Sequence, residues 1–510
     1  MEPVVFSQNA PAKRCRPGLS SWLCLWLMIP IICFGLYFAI VQTYSRSEVS
    51  SPPSAWLPDG GDGSGAEITE PQSHAEPVDN LHDDDPSILH PQRHIFRQPR
   101  TIHLNWNVTK GTRRPDGVLK DIYLINGQFP GPTIEARSGD RIEVIITNSI
   151  ANDTHDGLAV HWHGMLMKEA NEMDGVVGVT QCSIRPTDSF TYKFQIPQEQ
   201  HGTFWYHAHS AVKRADGLYG GLIVHKPADQ DQINGDLSLY EYDKDRTTKI
   251  TDATIAIILD PELMPVWNPA LTSKQLFPLI WTDPSDAAFR RKQKTAVVEI
   301  YDLDNTEAPR IPDSSMLRTD PVEVALLYTS LAINSFKNDE PWGELNHTSW
   351  VWKDPTAKPL LAMDNATWAN GTVQANPMRD FRVPWFETGD ERWLELVVNN
   401  VDDKGHPFHL HGYEFYVVAS RQPATRGKTH NPFDDAHEAN KQRNLDTPLK
   451  RDTVYIKPQG HVVLRFPLHN PGLWLMHCHV LWHQAVGMGM VLQVGNVTLE
   501  TARKAKQSCQ

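Results

Sequence analysis

From residue 101 onward, the chain contains many short segments in which polar and apolar residues alternate. Such alternation places every second side chain on one face, as in a half-buried β-strand. Turn-forming residues separate these segments, and 38 prolines and 31 glycines suit a many-stranded protein better than a helical bundle. The segments span residues 141–147, 189–196, 393–398, 413–418, 452–456 and 461–466. The pattern predicts an all-β fold built from β-sandwich domains.

The first hundred residues follow a different pattern. Residues 22–41 are 20 consecutive residues without a charge, long enough to cross a bilayer as a helix. Basic residues cluster before this segment, whereas Arg46 alone follows closely. By the positive-inside rule, we predict a cytosolic basic segment (1–21), a transmembrane signal-anchor (22–42) and a flexible, disordered linker (43–100). A cleaved signal peptide is the alternative, but its apolar region would be about 7–15 residues long.

This topology places everything after the anchor in the lumen or outside the cell, as in a single-pass type II membrane protein. Six N-glycosylation sequons lie on that side of the predicted anchor, which agrees with the charge argument. They begin at Asn107, Asn152, Asn346, Asn365, Asn370 and Asn496. We therefore expect a glycoprotein held to the membrane by one helix.

Charge and cysteine content exclude several classes of protein. The chain has 510 residues, with 48 Lys and Arg against 61 Asp and Glu, so its formal net charge is −13. An acidic chain without a long basic run is a poor nucleic-acid binder. Hydrophobic residues make up 40%, which excludes wholesale disorder. Six cysteines are too few for a disulfide scaffold of this length.

Histidine is grouped in four clusters that chance does not explain. They read His161-Trp-His163, His207-Ala-His209, His406-Pro-Phe-His409-Leu-His411 and His477-Cys478-His479, the last followed by His483 and Met488. Residues i and i+2 of a strand point to the same face, so each His-x-His pair points in one direction. Cys478 points to the opposite face from His477 and His479. One strand therefore serves two metal sites.

Imidazole and thiolate ligands favour copper, and two histidines, one cysteine and a weak axial methionine are typical of blue-copper sites. Zinc is the rival metal, but structural zinc sites are closed sets of four ligands that usually contain more cysteine. Eight histidines outside the clusters are interpreted as surface or structural residues: His155, His201, His225, His347, His430, His437, His461 and His469.

The four clusters resemble the four copper signatures of the multicopper oxidases, which include laccases, ascorbate oxidases and iron-transport ferroxidases. The segment from His477 to Met488 carries the most specific resemblance. Segments 125–134, 179–184, 202–210 and 345–352 also resemble fungal members, chiefly the ascomycete laccase-like branch. The resemblance covers about residues 101–245 and 250–500, and it implies cupredoxin-like Greek-key β-sandwich domains.

The resemblance implies four copper ions: one type 1, one type 2 and two type 3. The type 1 ligands would be His406, Cys478 and His483, with axial Met488. The type 2 ligands would be His161 and His409. The two type 3 sets would be His163, His207 and His479, and His209, His411 and His477. Electrons would pass from the type 1 ion through Cys478 to His477 and His479, and O2 would be reduced where the N-terminal and C-terminal domains meet.

Two further roles follow from the resemblance. Asp174 matches an acidic residue that the family holds near the trinuclear copper, where it assists proton delivery. An ordinary turn aspartate is the alternative. Cys182 matches a cysteine that pairs with one near the C-terminus, which implies a Cys182–Cys509 disulfide. Two free thiols are the alternative.

The middle of the chain departs from the family pattern. We predict cupredoxin domain 1 at 101–226, a shortened middle cupredoxin-like domain at 227–320, cupredoxin domain 3 at 321–500 and a tail at 501–510. A β-sandwich needs about seven strands and about 100 residues. The central part of the middle domain is missing, through natural shortening, an artefact of the gene model, or damage to a once-active enzyme.

Three functions compete. The first is a laccase-like oxidase of phenolic or small aromatic compounds, using O2 and suited to coupling pigment or secondary-metabolite phenols. The second is an Fe(II) ferroxidase of iron uptake, in which Asp402 stands where iron-specific members place a carboxylate. Leu481, where many ferroxidases carry an acid, favours the laccase-like enzyme. The third is an inactive copper-binding relic whose truncated middle domain keeps the outer domains from docking.

Overall fold

The computed structural model describes the globular part of the chain with gaps. The described residues are 89–115, 118–150, 157–228, 253–258, 274–279, 317, 323–333, 339–351, 358–363, 373–376, 379–381, 383–389, 392–422 and 443–509. The predicted anchor and residues 43–88 of the predicted linker lie outside this part, whereas residues 89–100 are ordered and include a short helix, so the linker prediction is wrong for them. Within the described residues, no helix is both long and apolar enough to cross a membrane.

The N-terminal domain is a β-sandwich of two four-stranded sheets. One sheet has the strand order β2-β1-β4-β6 and the other β3-β8-β7-β5. A short helix, α1 (Gln92–Ile95), precedes the first strand, and two 3-10 turns lie at Asn171–Met173 and Lys213–Asp216. The strands are β1 (Thr101–Arg113), β2 (Lys120–Ile125), β3 (Ile134–Arg137), β4 (Arg141–Asn148), β5 (Val160–His163), β6 (Ser189–Gln195), β7 (Gly202–Ala208) and β8 (Tyr219–His225).

The described part of the predicted middle domain contains one antiparallel pair, β9 (Ala253–Ile258) with β10 (Lys274–Leu279). The boundaries proposed for a shortened middle domain stay a prediction.

The C-terminal domain is a larger β-sandwich, with sheet orders β12-β11-β16-β21-β18-β19 and β15-β23-β22-β17-β20. Strands β13 and β14 form a separate pair, a 3-10 turn lies at Leu360–Ala362, and helices α2 (Leu481–Ala485) and α3 (Leu499–Gln507) complete the domain. The strands are β11 (Glu323–Ile333), β12 (Pro341–Leu345), β13 (Val373–Asn376), β14 (Arg379–Phe381), β15 (Trp385–Phe386), β16 (Trp393–Asn400), β17 (His406–Leu410), β18 (Phe415–Arg421), β19 (Leu449–Arg451), β20 (Thr453–Ile456), β21 (His461–Pro467), β22 (Gly472–Cys478) and β23 (Gly489–Val494).

Both sandwiches begin with the same arrangement. The first strand of each pairs parallel with a later strand and antiparallel with the next one, β1 with β4 and β2, and β11 with β16 and β12. An asparagine with positive φ follows the antiparallel pair in each case, Asn126 at 51° and Asn346 at 49°. Each side-chain amide donates to a carbonyl of the first strand, at 3.0 Å and 2.9 Å. Each side-chain oxygen accepts a backbone N–H of that strand at 2.7 Å. The predicted all-β architecture is therefore confirmed, with two similar sandwiches.

The two sandwiches contact each other directly. The Asn171 side chain donates to the Leu473 carbonyl and accepts the Leu473 N–H, both at 2.9 Å. Backbone N–H groups of Leu360 and Leu361 donate to carbonyls of the N-terminal domain at 2.9 Å. The predicted disulfide joins Cys182 to Cys509, across 327 residues of sequence. The described residues of the outer domains therefore contact each other directly.

Replacing Cys182 and Cys509 together with serine should lower the free energy of unfolding by about 2–5 kcal/mol, because the crosslink restricts a long segment of the unfolded chain. The measurement is the thermal unfolding midpoint at equal copper content. The single variant Cys182→Ser serves as the control and should show the same decrease, because it also removes the disulfide. An unchanged midpoint in the double variant would contradict the prediction.

Candidate metal centre

The histidines of the four clusters lie where two strand pairs end. His161 is opposite His207 in the β5–β7 pair, and His409 is opposite His477 in the β17–β22 pair. Three further histidines, His209, His411 and His479, each come one residue after the last residue of a strand. Each sandwich therefore contributes four histidines, and all eight meet between the two domains.

The imidazole rings approach one another across the domain boundary. Nε2 of His161 lies 3.4 Å from Nε2 of His409, and Nε2 of His477 lies 3.5 Å from that of His209 and 3.1 Å from that of His411. Seven of the eight histidines are buried and His479 is partly exposed. This concentration of imidazole nitrogens matches the donor set of a multinuclear metal site.

Most of these rings are oriented by a hydrogen bond from the nitrogen that faces away from the cluster. A backbone carbonyl only accepts, so each Nδ1 that contacts one carries the proton. Nδ1 of His161 donates to the Asp174 carbonyl at 2.7 Å and Nδ1 of His409 donates to that of Asp452 at 2.9 Å. Nδ1 of His207 and of His477 each donate to the next carbonyl in sequence at 3.0 Å. The unprotonated Nε2 atoms of these rings therefore face the cluster, as metal ligands require.

The Asp174 carboxylate lies directly behind the cluster. Its Oδ2 accepts a hydrogen bond from Nδ1 of His411 at 2.8 Å, and its Oδ1 lies 3.3 Å from Nδ1 of His161. Asp174 is fully buried. The structure thus places this aspartate against one histidine of each domain, where it fixes the orientation of the His411 ring.

Burial sets the charge of the cluster. It lowers the pKa of His207, His209, His411 and His477 well below the ordinary value, and neighbouring histidines lower it further. These rings are therefore neutral at physiological pH, which is the form that binds metal ions.

The structure brings the predicted ligand sets together, but one member, His479, also contacts an arginine. The donor atoms of His209, His411 and His477 form one compact group, and those of His161, His163 and His207 form another. His479 lies beside the second group, with its ring centre 4.9 Å from that of His163. Both of its ring nitrogens, however, contact Nη1 of Arg214, at 3.1 Å and 2.9 Å.

A second donor group lies on the other side of Cys478. The Cys478 sulfur is 3.5 Å from Nδ1 of His483 and 3.8 Å from Nδ1 of His406. Met488 is fully buried, and its carbonyl accepts the Cys478 N–H at 2.9 Å. A Cβ atom at Gly343 would lie 2.7 Å from Cβ of Met488, so glycine is needed there for this close approach. His483 is the partly exposed residue of the four.

The chemistry of this group fits copper. Burial raises the pKa of the Cys478 thiol to about 12, so the thiol stays protonated unless a cation lies beside it. A bound metal ion supplies that charge and stabilises the thiolate. Two imidazoles, one thiolate and a methionine match a copper site better than a zinc site.

The Asp402 carboxylate contacts the other side of His406. Its Oδ2 accepts a hydrogen bond from Nε2 of His406 at 2.9 Å, and its Oδ1 accepts the Leu331 N–H at 3.0 Å. The bond fixes His406 with Nδ1 towards Cys478. The Asp402 carboxylate therefore contacts a residue that is itself next to the Cys478 sulfur, and it lies close to the surface.

Sequence reasoning missed three residues of the site, namely Arg214, Asp452 and Thr453. Nε2 of His163 lies 3.2 Å from the Thr453 hydroxyl and 3.7 Å from a carboxylate oxygen of Asp452. Arg214 contacts His479, and its guanidinium lies 6.0 Å from the Trp205 ring centre. A cavity of about 550 Å³ opens beside these residues and is also lined by Tyr219, Leu481 and Trp482. The sequence carried no local signal for these contacts, because each joins segments that are distant along the chain.

The comparisons with known proteins agree with this geometry. Residues 107–229 and 351–497 match two family models, each described as multicopper oxidase. The iron transport multicopper oxidase FET3 of Candida glabrata is 26% identical, covering 80% of this chain and 78% of that protein. Laccase-2 of Botryotinia fuckeliana is 25% identical, covering 75% of this chain and 80% of that protein. The crystal structure of Fet3p, a multicopper oxidase that functions in iron import, has a TM-score of 0.61 at 22% identity, covering 80% of this chain and 95% of that one.

Proposed function

Because the chain belongs to the multicopper oxidase family, whose members are oxidoreductases that use O2, we propose that it oxidises phenolic or other small aromatic compounds and reduces O2 to water. Four bound copper ions would supply the redox chemistry: one would accept single electrons from the substrate, and the four together would provide the four electrons that, with four protons, reduce O2 to two waters. The single observation that carries the proposal is the pair of donor groups on either side of Cys478.

The reducing substrate would deliver its electrons at His483. Among His406, Cys478, His483 and Met488, only the His483 side chain reaches the surface. An electron donor does not need to enter the core, because the edge of this imidazole is accessible. Cys478 then connects this site to the cluster, since His477 and His479 are its neighbours in the chain.

The two carboxylates would have separate tasks. Asp174 holds His411 in place and offers a buried proton acceptor beside the cluster. Asp402 fixes His406 from the side nearer the surface. We assign O2 entry to the side of the cluster where the cavity beside His479 lies, because its lining includes the apolar rings of Trp205 and Trp482.

The preference for an aromatic substrate rests on two features. Leu481, which lines that cavity, is apolar where many ferroxidases carry an acid. Laccases are among the relatives. The direct contacts between the outer domains also argue against an inactive relic, whose domains would have to remain apart.

Ferroxidase activity is the second candidate, and one observation favours it. The hydrogen bond between Asp402 and His406 places an anionic carboxylate beside a ligand of the electron-accepting site. A carboxylate attracts Fe(II) and is a suitable oxygen ligand for it. Iron transport oxidases are also among the relatives.

The test is O2 uptake by the purified chain with its full copper content, with a phenol and with Fe(II) in parallel. We expect turnover with the phenol and little with Fe(II). Turnover with Fe(II) alone would replace the proposal with the ferroxidase. Full copper content with no O2 uptake from either donor would overturn both.

Asp402→Asn separates the two candidates further. The variant keeps one accepting oxygen but loses the negative charge. If Asp402 binds Fe(II), loss of a charged contact worth about 1.5–3 kcal/mol lowers kcat/KM for Fe(II) about 10–100-fold. We expect the phenol kcat/KM to change far less, because phenol oxidation does not use the charge.

Asp403→Asn is the matched control for that variant. Asp403 is the next residue, and its carboxylate accepts from Gln459 at 2.8 Å rather than from a histidine. The control should leave both kcat/KM values unchanged. Equal losses for phenol and Fe(II) in Asp402→Asn would mean that the carboxylate acts only by holding His406, and would exclude a role in iron binding.

A further inference from the structure

A second cluster of histidines lies outside the centre described above, at the edge of the N-terminal sandwich. Its members come from three separate parts of the chain. His90 and His94 lie before the first strand, with His94 in α1; Glu135 lies in β3; and His225 is the last residue of β8. Strands β3 and β8 pair in parallel, with Arg137 opposite His225. Glu135 and His225 therefore lie on the same face of adjacent strands.

The three histidines surround one carboxylate. Nε2 of His225 lies 2.9 Å from Oε2 of Glu135, and Nε2 of His94 lies 3.9 Å from the same oxygen. Nδ1 of His90 lies 3.2 Å from the other carboxylate oxygen. One donor atom from each of His94, Glu135 and His225 lies within 4.8 Å of the others. His94 and His225 are each only 6% exposed.

More metal-binding groups surround Glu135 than its carboxylate needs as hydrogen-bond donors. A backbone N–H of His90 donates to Oε2 of Glu135 at 2.8 Å and His225 contacts the same oxygen at 2.9 Å, so that oxygen does not need the buried His94 as a third partner. Here two buried imidazoles also face each other, with ring centres 5.0 Å apart. Three imidazoles and one carboxylate provide the number and type of ligands that zinc takes in a tetrahedral site.

We propose that His90, His94, Glu135 and His225 form a zinc-binding site that is separate from the copper centre. Zinc is favoured because the set contains imidazole and carboxylate but no sulfur. Binding of zinc would fix the segment before β1 to the edge of the sandwich.

Arg97 is the one neighbour that zinc binding must displace. Its Nη2 donates to Nδ1 of His94 at 3.1 Å, so the proton of the neutral ring is on Nε2. Zinc on Nε2 requires that proton to move to Nδ1, which then no longer accepts from Arg97. Arg97 retains its ion pair with Asp140, so its charge stays compensated.

The test uses the copper-loaded chain, incubated with zinc chloride, dialysed, and measured for zinc and copper by mass spectrometry. We expect one zinc ion per chain in excess of the copper. Glu135→Gln and His225→Gln should each weaken zinc binding by more than about 100-fold, because even outer partners of metal ligands change affinity 10–100-fold. The copper content and the blue absorption should not change.

The matched control is His103→Gln. His103 also pairs with a glutamate, Glu143, at 3.3 Å in the same domain, but its side chain is 70% exposed and outside the cluster. The control should bind zinc like the wild type. If Glu135→Gln or His225→Gln fails to fold, the wild-type unfolding midpoint decides instead, because added zinc should raise it and added magnesium should not.

Two outcomes would overturn the proposal. One is a wild type that retains no more zinc than the Glu135→Gln variant, which would mean that the cluster is a hydrogen-bonded group without metal. The other is equal loss of zinc in the His103→Gln control, which would mean that the bound zinc is on the surface.

Discussion

Replacing Cys478 with serine should abolish O2 uptake with every reducing substrate while the chain remains folded. Serine has nearly the same shape, but its hydroxyl does not provide the soft thiolate that copper prefers. The sulfur lies between His406 and His483 and is fully buried, and it is the only free thiol among the residues that the structure describes. The blue absorption should disappear, and the copper content should fall by one ion per chain.

The measurement is visible absorption, copper content and O2 uptake on the same preparation. Met476→Leu is the matched control, since Met476 is buried in the same strand but contacts hydrophobic residues. This volume-conserving change should cost less than about 1.5 kcal/mol and leave the absorption unchanged. A Cys478→Ser variant that still turned over a phenol would show that electrons enter elsewhere.

Two substitutions of Asp174 should have different effects, and together they separate its two roles. Asp174→Ala removes the acceptor for Nδ1–H of His411. Loss of such a partner typically lowers metal affinity 10–100-fold, so this variant should lose copper from the histidine cluster. Asp174→Asn retains an accepting oxygen but no longer takes up a proton. It should keep its copper and turn over about 10²–10⁴-fold more slowly.

The readout for the Asp174 variants is the blue absorption during turnover, because the site at Cys478 is intact in both. Substrate should bleach it at the wild-type rate in Asp174→Asn, and air should restore it slowly. Glu172→Gln is the control, since Glu172 is also buried but pairs with Lys504 at 3.2 Å and not with a histidine. Wild-type recovery in Asp174→Asn would remove the proton role and leave only the orientation of His411.

Alternation along the chain was enough to locate several strands. The segments predicted at 141–147, 189–196, 393–398 and 461–466 differ from β4, β6, β16 and β21 by no more than two residues at either end. Strands β4 and β6 have one face in a core, which accounts for their alternation, whereas β16 and β21 are buried on both faces. The segment at 413–418 begins two residues before β18, because Tyr413 and Glu414 lie between the turn at His411 and Gly412 and the start of the strand.

The spacing of the His-x-His pairs was also informative, although not all of these histidines lie within a strand. His161 and His163 are both within a strand, as the argument assumed, whereas His411 and His479 come just after one. His411 lies in a turn and His479 in a bend, but their rings still lie close to those of His409 and His477, with ring centres 4.8 Å and 5.5 Å apart.

Contacts between distant segments could not be predicted in this way. Asp452 begins a predicted strand, and nothing in its neighbours indicates that its carbonyl orients His409. Arg214 follows a histidine pair by five residues, yet its contact is with His479 in the other domain. His225 was interpreted as a surface or structural residue because a single histidine carries no pattern. It is buried against Glu135, which is 90 residues away in sequence.

The asparagine turn of the second sandwich has a practical consequence for glycan mapping. Asn346 begins a sequon, and its side chain also holds the turn through bonds to Leu326 and Tyr328. Asn346→Gln, the usual change for testing a sequon, would therefore also remove a structural clamp, and a loss of folded protein could not be assigned to a missing glycan. Thr348→Ala is the better change, because Thr348 contributes to this turn through its backbone N–H, which donates to Leu345 at 2.9 Å.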